Sequence, residues 1–497
     1  MANKTRETKF LNQFLSGAQT NLSPLIQPSN SLTIANGVNT SYKLGAVLKD
    51  CGYSRVGDVA SAAKSITGLH NFRQSSSVQK ILRTRNSNDG TNLLLQYNNA
   101  GTWTDISVGS TYDAFEDSQV EMEDFIGYCF IVGYDSTDGV WLPPASLTGT
   151  TFSASTNVTS MPNAKYIIRY RDRLYVGNCY YSGSAYPYRV FFSSVPSAGA
   201  ITWTPASDFL DVDFSEAITG MGSNWDRLVI FTEYSAYMYD QSNKKKVWDV
   251  GCSHHRTIAN SGVYMMWANF DGVWRSTSGP PENISGPVID FIRAGNPRNF
   301  VGKVVDEEYR LFIGTVSVAG VTYTNCELTF NIPTSQWRWR ELAHVVTVYE
   351  RYNDSGTQRL YFGTSIGEVY NRGKYTDATL INTDGYITAG TGTPIHANFS
   401  FIVQLNYDSI NNLRRIVTYA NRAMGLKMKY RFIDRDARSL TPFIEIGEIN
   451  QFIQKFDISE ANGCLLEIAG YSYDSNPYFS FLAASLTYDF ISEIQNQ

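Results

Sequence analysis

The sequence predicts an all-β protein whose main part is a β-propeller of about seven blades, with six to eight blades fitting the spacing. Aromatic residues make up 14% of the chain, including 32 Tyr and 27 Phe, and aromatic side chains favour strands. The 38 glycines supply positions for turns. A strand pattern also recurs roughly every 46 residues, and repeats of that length built from short strands are typical of propellers.

The first repeated marker is a short apolar strand that ends in glycine. Clear copies lie at residues 130–133, 174–177, 311–314 and 360–363, and looser copies lie near Ile81, Leu228 and Gly262. The seven starts between Ile81 and Leu360 give six steps in 279 residues, or about 46 residues a step. We therefore predict that the marker residues are buried at equivalent positions of successive blades. These marker residues include Phe130, Leu174, Leu228, Leu311 and Leu360.

A second marker, a tryptophan, recurs with the same period. Trp103, Trp203, Trp248 and Trp337 are separated by 100, 45 and 89 residues, which are about two, one and two steps. A large ring suits the outermost strand of a blade, where it covers the flank. Because a single blade cannot bury both of its faces whereas a ring of blades covers them, the two markers predict a propeller over residues 65–380.

Residues 1–64 form an N-terminal segment that is too short to fold alone and too apolar to be only a tail. The apolar side chains that need a surface are Leu32, Ile34, Val38, Leu44, Val47 and Leu48. We predict that this segment packs on the propeller as a pair of strands and closes its first blade.

The last part of the chain has a different pattern. Residues 381–394 are rich in Gly and Thr and predict a linker. The segment "LKMKYRF" alternates apolar and basic side chains from Leu426 to Phe432, which is typical of a half-buried strand. Similar segments follow at short intervals, so residues 395–497 are predicted to form a separate antiparallel β-sandwich.

Composition excludes several classes of protein. A net charge of −5 and a pI near 5.7 argue against a protein that holds nucleic acid on a basic surface. The six cysteines have no CxxC spacing, which favours buried, reduced thiols over a zinc site or a disulfide framework. The start of the chain lacks the apolar segment of a signal peptide, and no apolar run reaches the ~20 residues that span a bilayer. We expect a soluble protein made in a cytoplasm, without a cofactor, a metal or a membrane-spanning segment.

Several motifs resemble those of one known family. In the N-terminal segment they are Leu32, Asn36-Gly37-Val38, residues 45–49 (GAVLK) and Gly52-Tyr53, although Asp50-Cys51 stands where a basic residue followed by a small residue or proline is more usual. In the propeller, "NSGVYMMWANFDGVWRSTSG" followed by "ENISGPVIDFI" is similar to that family's blades. Together with the order of the parts, these motifs resemble the tail nozzle proteins of short-tailed bacteriophages, also called packaged-DNA stabilisation proteins.

The resemblance implies a structural protein of the virion and no enzymatic activity. It implies a homo-oligomeric ring, commonly a hexamer, that lies below a tail adaptor protein and anchors tailspike or tail-fibre proteins. Genomic DNA would pass through the ring without sequence-specific binding. The implied location is the tail of the virion, after assembly in the cytoplasm of the bacterial host. The modest negative charge fits a channel that must release DNA.

Two groups of basic side chains are candidate sites. The chain has five histidines, at positions 70, 254, 255, 344 and 396. In a strand His254 and His255 would point to opposite faces, so they cannot bind one metal together, and a surface position or a satisfied loop position is favoured. The run Lys244-Lys245-Lys246 predicts an exposed turn, with contact to DNA or to an acidic partner as the functional alternative.

Two acidic runs raise the possibility of a glycoside hydrolase or sialidase-like propeller. They are Glu121/Glu123/Asp124 and Asp306/Glu307/Glu308. Hydrolysis of a sugar requires two carboxylates ~5–10 Å apart, but both runs precede apolar strands, where solvated turn charges are expected. The sequence therefore predicts no catalytic, cofactor-binding or metal-binding residues. The other alternative is a propeller that binds carbohydrate or protein on the host surface as part of a tail fibre, and the assembly state would distinguish it from a ring.

Overall fold

The computed structural model describes the chain in fifteen segments: residues 6–12, 18–19, 32–33, 40–41, 47–58, 62–75, 78–354, 356–373, 383–384, 393–405, 409–421, 426–433, 441–463, 465–472 and 479–493. In these residues the protein is almost entirely β. Its one α-helix there, Ile289–Ala294, and the 3-10 turns His255–Thr257, Gly286–Val288 and Pro297–Asn299 lie between strands.

Seven antiparallel sheets follow one another along residues 66–372. Each has four main strands paired in chain order, except that sheet 7 takes its fourth strand from the N-terminal segment. Sheet 1 contains Ile66–Arg73, Gln79–Asn86, Leu93–Asn99 and Thr102–Ile106. Sheet 2 contains Gln119–Phe125, Tyr128–Asp135, Ala145–Thr148 and Thr151–Ser153, with Val140–Trp141 paired to its second strand. Sheet 3 contains Asn163–Tyr170, Arg173–Tyr181, Ser184–Phe192 and Phe209–Asp211.

The next four sheets repeat this order. Sheet 4 contains Ile218–Asn224, Arg227–Thr232, Ala236–Tyr239 and Lys244–Trp248. Sheet 5 contains Ala259–Asn260, Met265–Asn269, Gly272–Ser276 and Glu282–Asn283. Sheet 6 contains Val301–Val305, Glu308–Val318, Val321–Asn331 and Gln336–Glu341. Sheet 7 contains Val346–Asp354, Thr357–Thr364 and Val369–Arg372, and its fourth strand is Tyr53–Val56.

The seven sheets form a closed ring with their first strands innermost. The first strand of each sheet contacts the first strand of the next, and the first strand of sheet 7 contacts that of sheet 1. This is the arrangement of a β-propeller, so the predicted fold is confirmed at that level. We call the end of the ring where the first strands begin end A, and the end where they finish end B. Because the strands are antiparallel, turns between second and third strands and connections between sheets lie at end A.

The apolar marker falls on the second strand of every sheet. Phe130, Leu174, Leu228, Leu311 and Leu360 all lie there, and each is at most 3% exposed, so their predicted equivalence is confirmed. In at least two sheets the marker's final glycine lies where a neighbouring sheet approaches closely. A Cβ at Gly363 would lie 2.5 Å from Ile66 of sheet 1, and one at Gly177 would lie 3.1 Å from the Met221 sulfur of sheet 4. At Gly363 only glycine therefore lets the neighbouring sheets approach so closely, and at Gly177 a larger residue would need the Met221 side chain to shift.

The tryptophan marker lies at the outer edge of its sheets. Trp103, Trp248 and Trp337 are buried in the fourth strands of sheets 1, 4 and 6. Trp203 is also buried, but it forms an isolated bridge with Ser193 just before the fourth strand of sheet 3. The period shared by the two markers therefore reflects one repeated unit with a fixed inner and outer side.

The N-terminal segment closes the last sheet along the chain instead of the first. Tyr53–Val56 pairs antiparallel with Val369–Arg372 of sheet 7, and the Trp103 indole of sheet 1 donates a hydrogen bond to the carbonyl of Val56 (3.1 Å). The reason is that residues 57–65 lead directly from this strand into sheet 1, so the strand lies at the junction where the ring closes.

Two further sheets share one hydrophobic core outside the ring. Sheet 8 contains Arg6–Asn12, Thr40–Ser41, Val47–Lys49, Ser409–Asn421, Ile453–Gly463 and Ser480–Glu493. Sheet 9 contains Ala397–Gln404, Leu426–Ile433, Ile444–Ile449 and Leu465–Ser472. Short pairs join Ala18–Gln19 to Leu32–Thr33 and Thr383–Asp384 to Thr393–Pro394.

Sheet 8 combines strands from both flanks of the ring. Arg6–Asn12 and Val47–Lys49 both pair with Ser480–Glu493, so the N-terminal segment divides its strands between sheet 8 and sheet 7. Val47 is fully buried in that position and Leu48 is half-buried. The packing of Leu32, Ile34, Val38 and Leu44, and most of the predicted linker 381–394, lies outside the described residues and side chains.

Candidate functional site

The axis of the ring is filled by a central plug, which consists of His254, His255 and Arg256 in the connection before sheet 5. Arg256 reaches across the axis. Its Nε donates to Glu121 Oε1 (2.9 Å), its Nη1 donates to the carbonyl of Thr347 (2.9 Å), and its Nη2 donates to the carbonyls of Thr67 (2.6 Å) and Val120 (3.0 Å). One guanidinium thus joins the connection before sheet 5 to sheets 1, 2 and 7.

The two histidines of the central plug contact four other parts of the ring. His254 Nδ1 lies 2.8 Å from the carbonyl of Phe300, and His254 Nε2 lies 3.2 Å from the side-chain nitrogen of Gln119. His255 Nδ1 accepts a hydrogen bond from the Met221 backbone N–H (3.3 Å), and its ring lies 4.9 Å from that of Tyr166. Both imidazoles therefore occupy satisfied interior positions, and they face different sheets, as their adjacency predicts.

Burial sets the protonation of both histidines. It lowers the pKa of His254 to about 4 and also lowers the pKa of His255, in each case with the positive charge of Arg256 as a further cause. Both are therefore neutral at neutral pH. A neutral His254 that donates from Nδ1 to the Phe300 carbonyl leaves Nε2 free to accept from Gln119.

The central plug separates two cavities that open at opposite ends of the ring. The cavity towards end B has a volume of about 450 Å³, and the one towards end A has a volume of about 540 Å³. Ionisable residues line the end-B cavity: His70, Glu121, Glu123, Arg169, Lys303 and Glu350. The end-A cavity is lined by Lys165, His254 and Arg298, among other residues.

Two residues of the first acidic run, Glu121 and Glu123, line the end-B cavity, and Asp124 lies between sheets 1 and 2, so the interpretation of the run as solvated turn charges was wrong. Glu121, Glu123 and Asp124 are half-buried in the first strand of sheet 2. The sequence shows polar residues before an apolar strand, but in this ring the innermost strand faces a polar cavity and needs no apolar side chains there. A polar innermost strand therefore looks like a connection in the sequence.

Most carboxylates of this cavity have a basic partner. Burial alone would raise the pKa of Glu121, but Arg256 outweighs it and lowers that pKa. Glu350 Oε2 lies 2.7 Å from the Lys303 ammonium. Glu123 differs, because burial raises its pKa to about 7, with the charges of Asp124 and Glu350 contributing. At neutral pH Glu123 is therefore protonated in about half of the molecules.

One group of side chains has the donor types of a metal site. Donor atoms of His70, Asp124 and Cys129 lie within 4.8 Å of one another, where sheets 1 and 2 meet. Without a metal, His70 Nε2 lies 2.8 Å from Asp124 Oδ1, and Asp124 Oδ2 accepts from the Arg73 backbone N–H (2.7 Å). Burial and nearby carboxylates raise the pKa of Cys129 well above its usual value, so its thiol stays protonated. These contacts satisfy the histidine and the carboxylate without an ion.

A second buried charge cluster, which we call the Asp50 cluster, joins the N-terminal segment to sheets 6 and 7. Asp50 Oδ2 accepts from Arg372 (2.8 Å) and lies 3.6 Å from Arg340. Arg372 also lies 3.5 Å from Glu327, which accepts from Arg310 (3.0 Å). All five side chains are buried. Burial alone would raise the pKa of Asp50, but Arg372 and neighbouring arginines outweigh it and hold that pKa well below its usual range.

The other candidates of the sequence analysis lie apart from the axis. Lys244, Lys245 and Lys246 are exposed, as predicted, although they begin the fourth strand of sheet 4 and do not form the turn itself. Asp306 and Glu307 are exposed in a turn, as predicted.

The remaining predicted residues are spread over the molecule. Glu308 is half-buried and binds Arg338 through both carboxylate oxygens (3.0 and 2.9 Å). His344 stacks on Tyr370, with their ring centroids 4.9 Å apart. His396 is exposed.

Sequence reasoning missed both Arg256 and the Asp50 cluster. One signal for the cluster was present, because Asp50 stands where the resembled family more usually has a basic residue. Another is the strand Gln336–Glu341, in which Trp337 and Trp339 alternate with Arg338 and Arg340 and every one of the four is buried. The cysteines behave as expected in the described residues, where Cys51, Cys129, Cys179, Cys252 and Cys326 are buried free thiols.

Comparisons with known proteins identify no family for this chain. No family model matches the chain, and no curated protein matches it. Among solved structures, the AfRom2 CNH domain is similar with a TM-score of 0.40 and 8% identity, covering 66% of this chain and 100% of that domain. BBS1N, solved in complex with ARL6DN, is similar with a TM-score of 0.42 and 8% identity, covering 67% of this chain and 98% of that one. Within the described residues, no helix is long and apolar enough to cross a membrane.

Proposed function

We propose that this protein is a structural component of a bacteriophage tail, the nozzle ring through which DNA leaves the particle. In this proposal several copies, commonly six, form a closed ring below a tail adaptor protein and anchor tailspike or tail-fibre proteins. The protein is not an enzyme and belongs to the virion after assembly in the host cytoplasm. The motifs of the N-terminal segment and of sheet 5, together with the order of the parts, suggest this role.

The proposal is best supported by the strand pairs and the buried charges that connect sheet 8 to the ring. The flanking strands Arg6–Asn12 and Val47–Lys49 pair with Ser480–Glu493, and Tyr53–Val56 completes sheet 7 of the ring. The Asp50 cluster lies between these two attachments. Pulling sheet 8 away from the ring would therefore require breaking strand pairs and a buried charge network together. A part that bears the pressure of packaged DNA needs such a connection.

The central plug determines where DNA would pass. Duplex DNA is ~20 Å wide, whereas Arg256 spans the axis of the ring and hydrogen bonds to sheets 1, 2 and 7. In the proposed assembly DNA therefore runs between copies of the protein and not through a propeller. The protein's net charge of −5 suits a wall along which DNA slides.

Locating the protein in phage particles tests this proposal. Immunogold labelling of particles should place it at the distal end of the tail, and averaged images should show a six-fold ring there. Particles made without the gene should package DNA and then lose it. Finding the protein in trimeric fibres, or not finding it in particles, would contradict the proposal. A monomer in solution would not, since such rings can close on their template.

Glu123 gives one alternative a specific basis. A carboxyl group with a pKa of about 7 in the end-B cavity, near Glu121 and Glu350, is what a glycoside hydrolase needs as its general acid. Against this, Glu121 and Glu350 are bound by Arg256 and Lys303. Release of sugars from host surface polysaccharide by the purified protein, lost in Glu123→Gln, would favour the enzyme. We expect no release.

A further inference from the structure

The two ends of the ring differ in their exposed apolar side chains. The exposed aromatic side chains of the seven sheets and their connections all lie at end A in the described residues: Tyr180, Phe214, Tyr234 and Phe270. Phe214 is 70% exposed and Tyr234 is 68% exposed. Exposed Val140, Val321 and Ile366 extend this surface to sheets 2, 6 and 7. Single exposed apolar residues are ordinary, but a set that recurs around one end of a ring marks a surface that binds a partner.

End A is also acidic. The exposed aspartates in its turns and connections include Asp89, Asp113, Asp138, Asp213, Asp249 and Asp271. Among the described side chains of these turns and connections, only Arg293 and Arg298 are exposed basic residues, and Arg298 is bound to Glu233 (2.6 Å). End A therefore presents apolar side chains within a negatively charged surround.

End B has the opposite character. Most of the ring's exposed basic side chains in the described residues lie there, either beside cavities near the axis or further out on the strand ends of sheet 4: Arg73, Arg169, Arg227, Lys244, Lys245 and Arg351. Its exposed apolar residues in the described part are the three valines Val78, Val195 and Val263. Exposed acids also occur at end B, at Asp172, Asp226, Glu282, Asp306 and Glu307, and Arg227 is bound to Asp240 (3.2 Å). Exposed basic side chains still outnumber the exposed acids at this end in the described residues.

We propose that end A of one copy docks on end B of the next copy, and that this contact joins the subunits of the assembly. The proposal rests on the ring of the proposed function and names the surfaces that form it. The occupant follows from charge, because the chain that carries an acidic, apolar end also carries a basic end. A contact between two different surfaces of the same chain is head-to-tail, and such contacts close into a ring when the rotation between copies allows it.

Charge reversal at each end tests the contact. One variant carries Asp138→Lys and Asp271→Lys at end A, and the other carries Arg73→Glu and Arg351→Glu at end B. All four side chains are exposed, so folding should be unaffected. Sedimentation equilibrium of the full chain should show reversible self-association that weakens between 50 and 500 mM NaCl. Each variant alone should associate at least about tenfold more weakly, since like charges then face each other.

Mixing the two variants distinguishes this contact from a general loss of solubility or charge. In an equimolar mixture the lysines of one variant face the glutamates of the other, so association should return to near the wild-type level. A matched control, Lys427→Glu with Lys455→Glu on sheets 9 and 8, changes exposed charges away from both ends and should associate like the wild type.

The outcomes separate this inference from the proposed function. A wild-type protein that stays monomeric at all concentrations, end variants that associate normally, or a mixture that does not recover would each overturn the end-to-end contact. None of these results would contradict the proposed location of the protein in the phage tail. Absence from phage particles would instead contradict the proposed function, whatever the ends of the ring do in solution.

Discussion

At the scale of single residues, Arg256 is the side chain on which the centre of the ring depends most. It is half-buried overall, but its guanidinium binds one carboxylate and three carbonyls from sheets 1, 2 and 7. We predict that Arg256→Ala lowers the free energy of unfolding by about 3–5 kcal/mol, because Glu121 and the three carbonyls would lose their partner inside the ring. Urea denaturation measures the change.

Arg171→Ala is the matched control for this prediction. Arg171 also binds a carboxylate, that of Asp226, and the carbonyl of Asp240, but both of its charged groups are exposed. Its loss should cost less than about 1 kcal/mol, as for other surface ion pairs. Equal effects of the two substitutions would show that the central plug contributes no more than a surface contact.

His254 predicts a pH dependence in acid. Its pKa is about 4 in the folded protein and near 6.5 when the group is unperturbed, so the unfolded chain binds more protons between these values. Stability should therefore fall as the pH falls from 6.5 to 4, with His254 contributing about 1–3 kcal/mol of the loss. In His254→Gln this part of the pH profile should be flatter. An unchanged slope would show that the neutral form of His254 is not required.

Glu123 predicts the opposite trend at higher pH. Its pKa is raised from 4.5 to about 7, so the folded protein binds more protons than the unfolded chain between those values, and stability falls as the pH rises through them. Glu123→Gln should be more stable than the wild type at pH 8 by about 1–2 kcal/mol and similar to it at pH 4. Thermal unfolding at the two pH values checks this, and a variant less stable at pH 8 would contradict it.

At the scale of elements, the strand that closes the ring is held by a buried charge as well as by its backbone. Tyr53–Val56 completes sheet 7, and Asp50, three residues earlier, binds Arg372 of the same sheet. We predict that Asp50→Asn destabilises the protein by about 3–5 kcal/mol, since it leaves buried arginines without a counter-charge. The N-terminal segment should also become more sensitive to limited proteolysis.

Asp226→Asn removes a comparable but exposed partner of Arg171 and serves as the control. It should change stability by less than about 1 kcal/mol and leave the proteolysis pattern as in the wild type. If Asp50→Asn behaved in the same way, the Asp50 cluster would not hold the closing strand.

The strands that could be predicted from the sequence are those whose side chains are apolar because they are buried. Most second strands of the seven sheets are rich in buried apolar side chains, because neighbouring sheets cover them, and Leu174 and Leu311 show this plainly. The first strands could not be recognised in the same way. In sheet 2 that strand carries Glu121 and Glu123 towards a polar cavity, and in sheet 5 it is only Ala259–Asn260.

Contacts across the axis of the ring could not be predicted from the sequence either. Arg256 meets Thr67 and Thr347, which are distant in the chain and become neighbours only when the ring closes. A single sequence contains the period of the ring but no information on which polar side chain crosses it. The end-B cavity and the central plug are therefore features that only the closed ring reveals.

At the scale of the whole molecule, the plugged ring and the charge pattern lead to a prediction about DNA. The protein has a net charge of −5, and the exposed bases of the ring lie mostly at end B in the described residues. In the proposed assembly that end is covered by end A of the next copy. Of the exposed bases on sheets 8 and 9 in the described residues, Arg415 is bound to Asp457 (2.6 Å), and Lys427 and Lys455 lie on different sheets, so they form no basic cluster. We expect the assembled protein to bind duplex DNA with a dissociation constant weaker than about 10 μM at 150 mM salt, because tight binding requires clustered phosphate contacts.

Fluorescence anisotropy with a labelled duplex measures this affinity, and the lysine run offers the sharpest variant. Lys244, Lys245 and Lys246 are exposed on one edge strand, so replacing all three by Gln removes a basic patch without touching the core. If DNA only slides past the protein, the triple variant should leave the weak binding almost unchanged. A tight complex in the wild type that is lost in the triple variant would instead identify this strand as a DNA-holding surface, and a channel that grips DNA in this way could not release it rapidly.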